Sequence, residues 1–206
     1  MRKMFKKSIT KEELSEISIG GYDGKIVVIN RLDEISQAMA TILECPICGF
    51  DTESLPSFRK GESHGVALLQ IATETTVFLI RLNKIGINSD IVRFFESPKT
   101  CKVGIALKDD IRRLNKHHPI IPQNIIDLNE YCLKLGFESI GAKKLAALIL
   151  GFRISKRQQI SNWEVSELSQ AQLRYAATDA WICREIYLKL RQCKNVLVYG
   201  APELPK

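Results

Sequence analysis

From Lys25 onward the chain alternates between short β-branched runs and stretches of helical period. KIVVIN (25–30) reads as a strand and 33–44 as an amphipathic helix, after which ICGFDTE, VALLQIAT and TVFLIRL read as three successive strands, a meander. A helix near 89–96, the strand KVGIA, a helix over 107–116, the strand NIIDL and helices over most of 128–150 follow. The last helix, roughly 170–191, starts at Ser169 with Gln172 in capping-box position. Ahead of all this the first residues are polar. Thr10 and Glu13 have capping-box spacing before a short helical stretch, and GGYDG then breaks the chain. Residues 1–24 are therefore read as an arm and 25–192 as a domain, with the tail 193–206 left unassigned. Strands in series, then strands alternating with helices, imply an α/β fold with a mixed central sheet flanked by helices, in which sites collect at the carboxyl ends of strands.

Composition narrows the classes. With 206 residues, 45% of them hydrophobic, the chain can bury one core without help, and a monomer is expected. The net charge of +7 favours a polyanionic partner, although solvated lysines account for it equally well. No run approaches the ~18 apolar residues of a membrane span, and the basic MRKMFKKS lacks a following apolar segment, so an intracellular, cytoplasmic protein without a membrane partner is expected. The six cysteines show no secreted-framework spacing and are expected to be reduced. Cys45 and Cys48 form one C-P-I-C pair that no second pair or histidine pattern completes into a zinc site. His117 and His118 suit a helix C-terminus, where donor side chains meet the dipole. Neither a P-loop nor G-x-G-x-x-G is present, so no nucleotide cofactor is expected.

The chemistry concentrates at a few acids. ICGFDTE has apolar residues on both faces, which predicts a central strand, and it ends in Asp51 and Glu53. Side chains at i and i+2 leave one strand face, so the two carboxylates form a paired oxygen site suited to Mg²⁺ or Mn²⁺. Alone the signal is weak, because D-x-E arises by chance among 23 acids. In YAATD, Tyr175 and Asp179 stand at i and i+4, and Asp179 flanks the stripe Leu173, Ala176, Ala180, Cys183 and Tyr187. Pairing of Asp179 with an arginine and simple packing of Tyr175 would account for that helix by itself. For the adjacent pair Asp109 and Asp110 the helical period separates the two. Leu107, Ile111 and Leu114 define the inward face; Asp110 lies about 60° from Leu107, while Asp109 lies about 200° away and points to solvent.

Taken in order, GFDTE, VALLQIAT, KVGIALKDD, IIDL, LILGFRISK, SNW and YAATDAW resemble the Werner-syndrome-type 3′-5′ exonucleases. That group lies within the ribonuclease H-like superfamily, which also holds ribonuclease D and polymerase proofreading domains. The resemblance covers the chain from Lys25 to about Leu190. It implies a ribonuclease H-like fold and a 3′-5′ exonuclease, probing DNA or RNA 3′ ends, with Asp51, Glu53, Asp110, Tyr175 and Asp179 as catalytic residues. It further implies two divalent cations, Mg or Mn, on the four acids: Asp51 bridging both, Glu53 and Asp179 on the one that activates water, Asp110 on the other, and Tyr175 orienting the water. Many relatives carry an aromatic residue after the first-motif glutamate, whereas Ser54, Leu55 and Pro56 follow here, so Leu55 or Phe58 is expected either to wedge against the terminal base or to pack on its own strand. Among Lys108, Arg112, Arg113, Lys143, Lys144, Arg153, Lys156 and Arg157, the expected phosphate contacts are Lys156 and Arg157, which match a basic family segment. Asp127 in IIDL is expected to anchor loop amides. DNA, in a repair setting, is the expected substrate; a ribonuclease D-like RNA-trimming enzyme and a silent nucleic-acid-binding module are the alternatives.

Overall fold

The computed structural model describes residues 3–56, 64–193 and 196–199. In chain order the elements are β1 (Lys3–Lys6), α1 (Lys11–Glu16), β2 (Lys25–Ile29), α2 (Leu32–Glu44), β3 (Ile47–Ser54), β4 (Val66–Ala72) and β5 (Thr76–Ile80). Then come α3 (Leu82–Ile85), α4 (Ser89–Glu96), β6 (Cys101–Gly104), α5 (Lys108–His117), β7 (Ile125–Asp127) and α6 (Leu128–Lys134). Last are α7 (Ala142–Leu145), which continues into a π-helical turn Ala146–Leu150, then α8 (Gln170–Gln192) and β8 (Val196–Tyr199).

Six strands form one sheet in the order β2-β5-β4-β3-β6-β7. The meander is present: β4 runs antiparallel to both β3 and β5, while the remaining pairs are parallel. β3 is therefore interior, as its two-sided apolar pattern predicts. Every residue of β4 is buried, the signature of a strand covered on both faces. On one face the α2 stripe Ile35, Ala38, Met39 and Ile42 packs with Phe50, Phe94 and Phe95. Within that layer Phe50 meets Phe95 edge-on at 5.5 Å. The other face carries α8, whose Ala176, Ala177 and Ala180 lie against Leu68, Ala72 and Leu79.

The capping signals act as their spacing predicts. Ser169 Oγ accepts from Gln172 N at 3.3 Å and Gln172 Oε1 accepts from Ser169 N at 3.0 Å, which starts α8; the Thr10 and Glu13 pair starts α1 in the same way. The lysine of KVGIA has a structural role. Lys102 is fully buried, and its Nζ donates to the carbonyls of Ser97 at 2.6 Å and Phe94 at 3.2 Å, where a cation complements the C-terminus of α4.

Three features depart from the pattern reading. The short helix α3 was not predicted; it follows Arg81, which is 1% exposed and donates to the carbonyls of Val165 and Ser166. The helical region after 128 is interrupted between α6 and α7, where Gly136 and Gly141 take φ of 92° and 88°. Finally, the two ends of the chain each contribute a strand: β1 pairs in parallel with β8, and Phe5 is buried against Phe137. Periodicity has little purchase on four-residue strands. Among the described residues no helix is long and apolar enough to cross a membrane. All six cysteines are free thiols; Cys45 Sγ donates to the Ile47 carbonyl and Cys48 Sγ to that of Ile42.

Candidate active site

The carboxyl end of β3 turns Asp51 and Glu53 toward α8 because both leave the same strand face. How closely the helix can approach is set at position 49. A Cβ on Gly49 would sit 2.0 Å from the Ala180 carbonyl oxygen, so only glycine lets α8 rest on the strand backbone. That contact carries Asp179, next to Ala180, over the strand end. One carboxylate oxygen each from Asp51, Glu53 and Asp179 lie within 4.8 Å of one another.

Asp110 reaches the same place from α5. β6 must end in a tight corner for this: a Cβ on Gly104 would meet Leu107 Cδ2 at 2.2 Å, and Ala106 is held at a φ of 60°. Asp127 secures that corner, accepting from the backbone N–H of Leu107 at 2.8 Å, Ala106 at 3.2 Å and Asn129 at 2.8 Å. It anchors loop amides, as the sequence reading expects. Asp110 then accepts from Thr52 Oγ1 at 2.5 Å. Its neighbour Asp109 points outward, with a side chain 59% exposed, and pairs with Arg112 at 3.1 Å. Asp110 is not in the tight group of three, yet it lines the same cavity of about 250 Å³ with them, Tyr175, Arg113 and Lys156.

The electrostatics follow from four acids sharing little water. Burial and then the neighbouring charges of Asp179, Asp110 and Glu53 hold the Asp51 carboxyl well above its ordinary range. Glu53 is pushed up to about 9 by burial and by Asp179 and Asp110, with Arg113 opposing. Asp179 is pushed up to about 7, chiefly by burial, against the Tyr175 hydroxyl that donates to it and the charge of Lys156. Asp110 is raised by burial, while Thr52 and Arg113 act the other way. Burial and the adjacent carboxylates push Tyr175 far up, so its phenol stays a donor. The tyrosine ring leans on Trp163 with centroids 5.9 Å apart. None of the four acids forms an ion pair with lysine or arginine among the described residues. Among the described residues no arginine pairs with Asp179. Converging hard oxygen donors that outnumber the two cationic side chains at the cavity wall, Arg113 and Lys156, fit a divalent metal ion.

The structure thus brings Asp51, Glu53, Asp110, Tyr175 and Asp179 together. Of the expected nucleic-acid contacts, Lys156 lines the acid cavity and Arg157 lines a separate groove beside it. Leu55 is half-buried just past β3 and does not line the acid cavity; Phe58 lies outside the described residues. Arg153 is committed to the fold, its Nε donating to the Ile17 carbonyl at 2.8 Å. Sequence reasoning missed Thr52 and passed over Arg113, because neither belongs to an acidic motif. It also missed Gln70, which the β3–β4 register sets directly opposite Asp51. Gln70 is fully buried, and neither amide atom has a partner among the described residues; a single polar residue inside VALLQIAT was the available signal.

Residues 26–193 match the model of a 3′-5′ exonuclease domain family. A 3′-5′ exonuclease of Arabidopsis thaliana is 30% identical over 155 residues, covering 72% of this chain and 54% of that protein. A ribonuclease D of Bartonella henselae is 26% identical over 185 residues, covering 88% of this chain and 45% of that protein. The chain thus spans about half the length of these relatives. Among solved structures, the exonuclease domain of Aedes aegypti Nibbler superposes with a TM-score of 0.76 at 23% identity, covering 84% of this chain and 92% of that one.

Proposed function

Because the chain belongs to the 3′-5′ exonuclease family, we propose that it hydrolyses phosphodiester bonds at nucleic-acid 3′ ends with two divalent cations, Mg²⁺ or Mn²⁺. The observation that carries this reading is the convergence of three carboxylate oxygens within 4.8 Å, beside a tyrosine hydroxyl and a fourth acid. Asp51, Glu53, Asp179 and Asp110 would hold the cations. When bound, such ions stabilise charge on the attacking and leaving oxygens of the phosphodiester.

The remaining roles belong to the chain itself. Glu53, as the carboxylate, accepts a proton from the attacking water, and its burial among the other acids raises its proton affinity for that role. The Tyr175 phenol stays protonated and orients that water while also donating to Asp179. Lys156 and Arg113 supply positive charge at the cavity wall for the phosphates of the strand. A silent binding module is disfavoured, since four acids repel phosphate without cations.

DNA is the proposed substrate. The match to a ribonuclease D favours RNA trimming as the second reading. Comparing degradation of 5′-labelled 3′-overhang DNA, duplex RNA and single-stranded RNA, with Mn²⁺ and with chelator, tests both. Metal-dependent shortening of the DNA is expected; preferential shortening of RNA moves the assignment to the second reading. Digestion that survives chelation contradicts the metal-dependent mechanism.

A further inference from the structure

Lys156 and Arg157 are adjacent, yet they serve two different cavities. Lys156 faces the acids, whereas Arg157 lines a groove of about 420 Å³ on the other side of Tyr175 and Asp179, which both cavities share. The outer wall of the groove comes from the segment preceding β2. Ile19 bridges Arg153 in parallel, Gly20 N donates to the Arg153 carbonyl at 3.0 Å, and Arg153 N donates to that of Ser18 at 3.0 Å. Tyr22 N donates to Thr178 Oγ1 at 3.0 Å, and Asp23 pairs with Arg174 at 2.8 Å. Gly21 lies so close to α8 that a Cβ would be 3.0 Å from Thr178 Oγ1. The polar N-terminal stretch is therefore built into the surroundings of the site.

Among the described residues the groove is lined by two arginines, Arg157 and Arg174, and by one acid, Asp179, which is buried and engaged by Tyr175. Among the described residues Arg157 forms no ion pair, and the one ion pair of Arg174 is with an exposed aspartate, Asp23. Planar guanidinium forks match phosphate oxygens in geometry as well as charge. The volume falls within the ~300–1,000 Å³ of small-molecule sites, enough for one nucleotide. Resting on the exonuclease reading, we propose that this groove is a product site that takes a nucleoside 5′-monophosphate, its phosphate held between Arg157 and Arg174 in place of Asp23. The groove shares Asp179 with the acid cluster, but Arg157 and Arg174 stand outside that cluster, so a phosphate held by them does not require the divalent cations.

Isothermal titration of the full chain with deoxyadenosine 5′-monophosphate in chelator tests this, with deoxyadenosine as the control lacking phosphate. The nucleotide should bind and the nucleoside should not. Arg174→Ala should weaken binding by about tenfold or more, as loss of a charge-assisted contact does. Asp23→Ala, which frees Arg174, should tighten it several-fold, and a variant that gains affinity cannot be explained by misfolding. Absence of nucleotide binding in chelator, equal binding of the nucleoside, or affinities unmoved by both substitutions would overturn the proposal. Exonuclease turnover of the unmodified protein, measured separately, tells failure of the product site apart from failure of the exonuclease reading.

Discussion

Thr52 Oγ1 donates to Asp110 Oδ1 at 2.5 Å, tying the strand that carries Asp51 and Glu53 to the helix that carries the fourth acid. The bond orients a carboxylate that would otherwise rotate freely at the cavity wall. Thr52→Val keeps the shape and removes the donor, and outer partners of metal-site carboxylates are typically worth about 10–100-fold. Turnover in Mn²⁺ should fall within that range while the melting temperature stays nearly constant. Unchanged turnover would reduce the bond to a packing detail.

The adjacent acids of α5 should separate cleanly. Asp110→Ala is expected to lose nearly all exonuclease activity. Asp109→Ala, whose exposed side chain meets only Arg112, should keep most of it and change stability by less than about 0.5 kcal/mol. A pair of single-mutant turnover measurements at saturating Mn²⁺ decides this, and the reverse pattern would overturn the assignment of Asp110.

Asp127 acts at a distance from the chemistry. Its carboxylate satisfies three backbone donors at the corner leading into α5, so Asp127→Ala leaves amides unpaired at about 1–3 kcal/mol of stability each where they are buried. Thermal denaturation should show a drop of several degrees, at ~2–4 °C per kcal/mol for a chain of this size. Activity should fall with it, as Asp110 loses its placement. A variant as stable as the parent would mean that the corner holds itself.

The acids also predict the pH dependence of stability without metal. Asp179 titrates near about 7 and Glu53 near about 9 in the fold, whereas carboxylates of an unfolded chain titrate at ~4. Between those values the folded state binds more protons than the unfolded one, so stability falls as pH rises from ~4 through the folded pKa values. In chelator the melting temperature should drop by on the order of 10 °C between pH 5.5 and 8.5. Mn²⁺ should restore it most strongly at the higher pH, and Asp51→Asn should flatten the curve. A melting temperature that rises over this interval would contradict the electrostatics of the site.

These relationships differ in how far residues alone disclose them. The period of Leu107, Ile111 and Leu114 separates Asp110 from Asp109, and the two-sided apolar pattern of ICGFDTE places β3 inside the sheet, because burial acts through local spacing. Asp127 could be set apart as a loop anchor from its motif. Thr52, Arg113 and Gln70 were hidden because their roles depend on pairing across strands and on the approach of α5, long-range facts that periodicity does not encode. The same holds for the N-terminal segment, read as an arm, whose Gly20 and Tyr22 engage Arg153 and Thr178 more than 130 residues away.

The most direct test of the central claim is a single-turnover assay on a 5′-labelled oligonucleotide with Mn²⁺, comparing the parent with Asp51→Ala. The parent should shorten the strand stepwise from its 3′ end. The variant should bind the strand but leave it intact, because the carboxylate at the centre of the cluster is gone. Stepwise digestion by Asp51→Ala at the parental rate would place the chemistry elsewhere in the molecule.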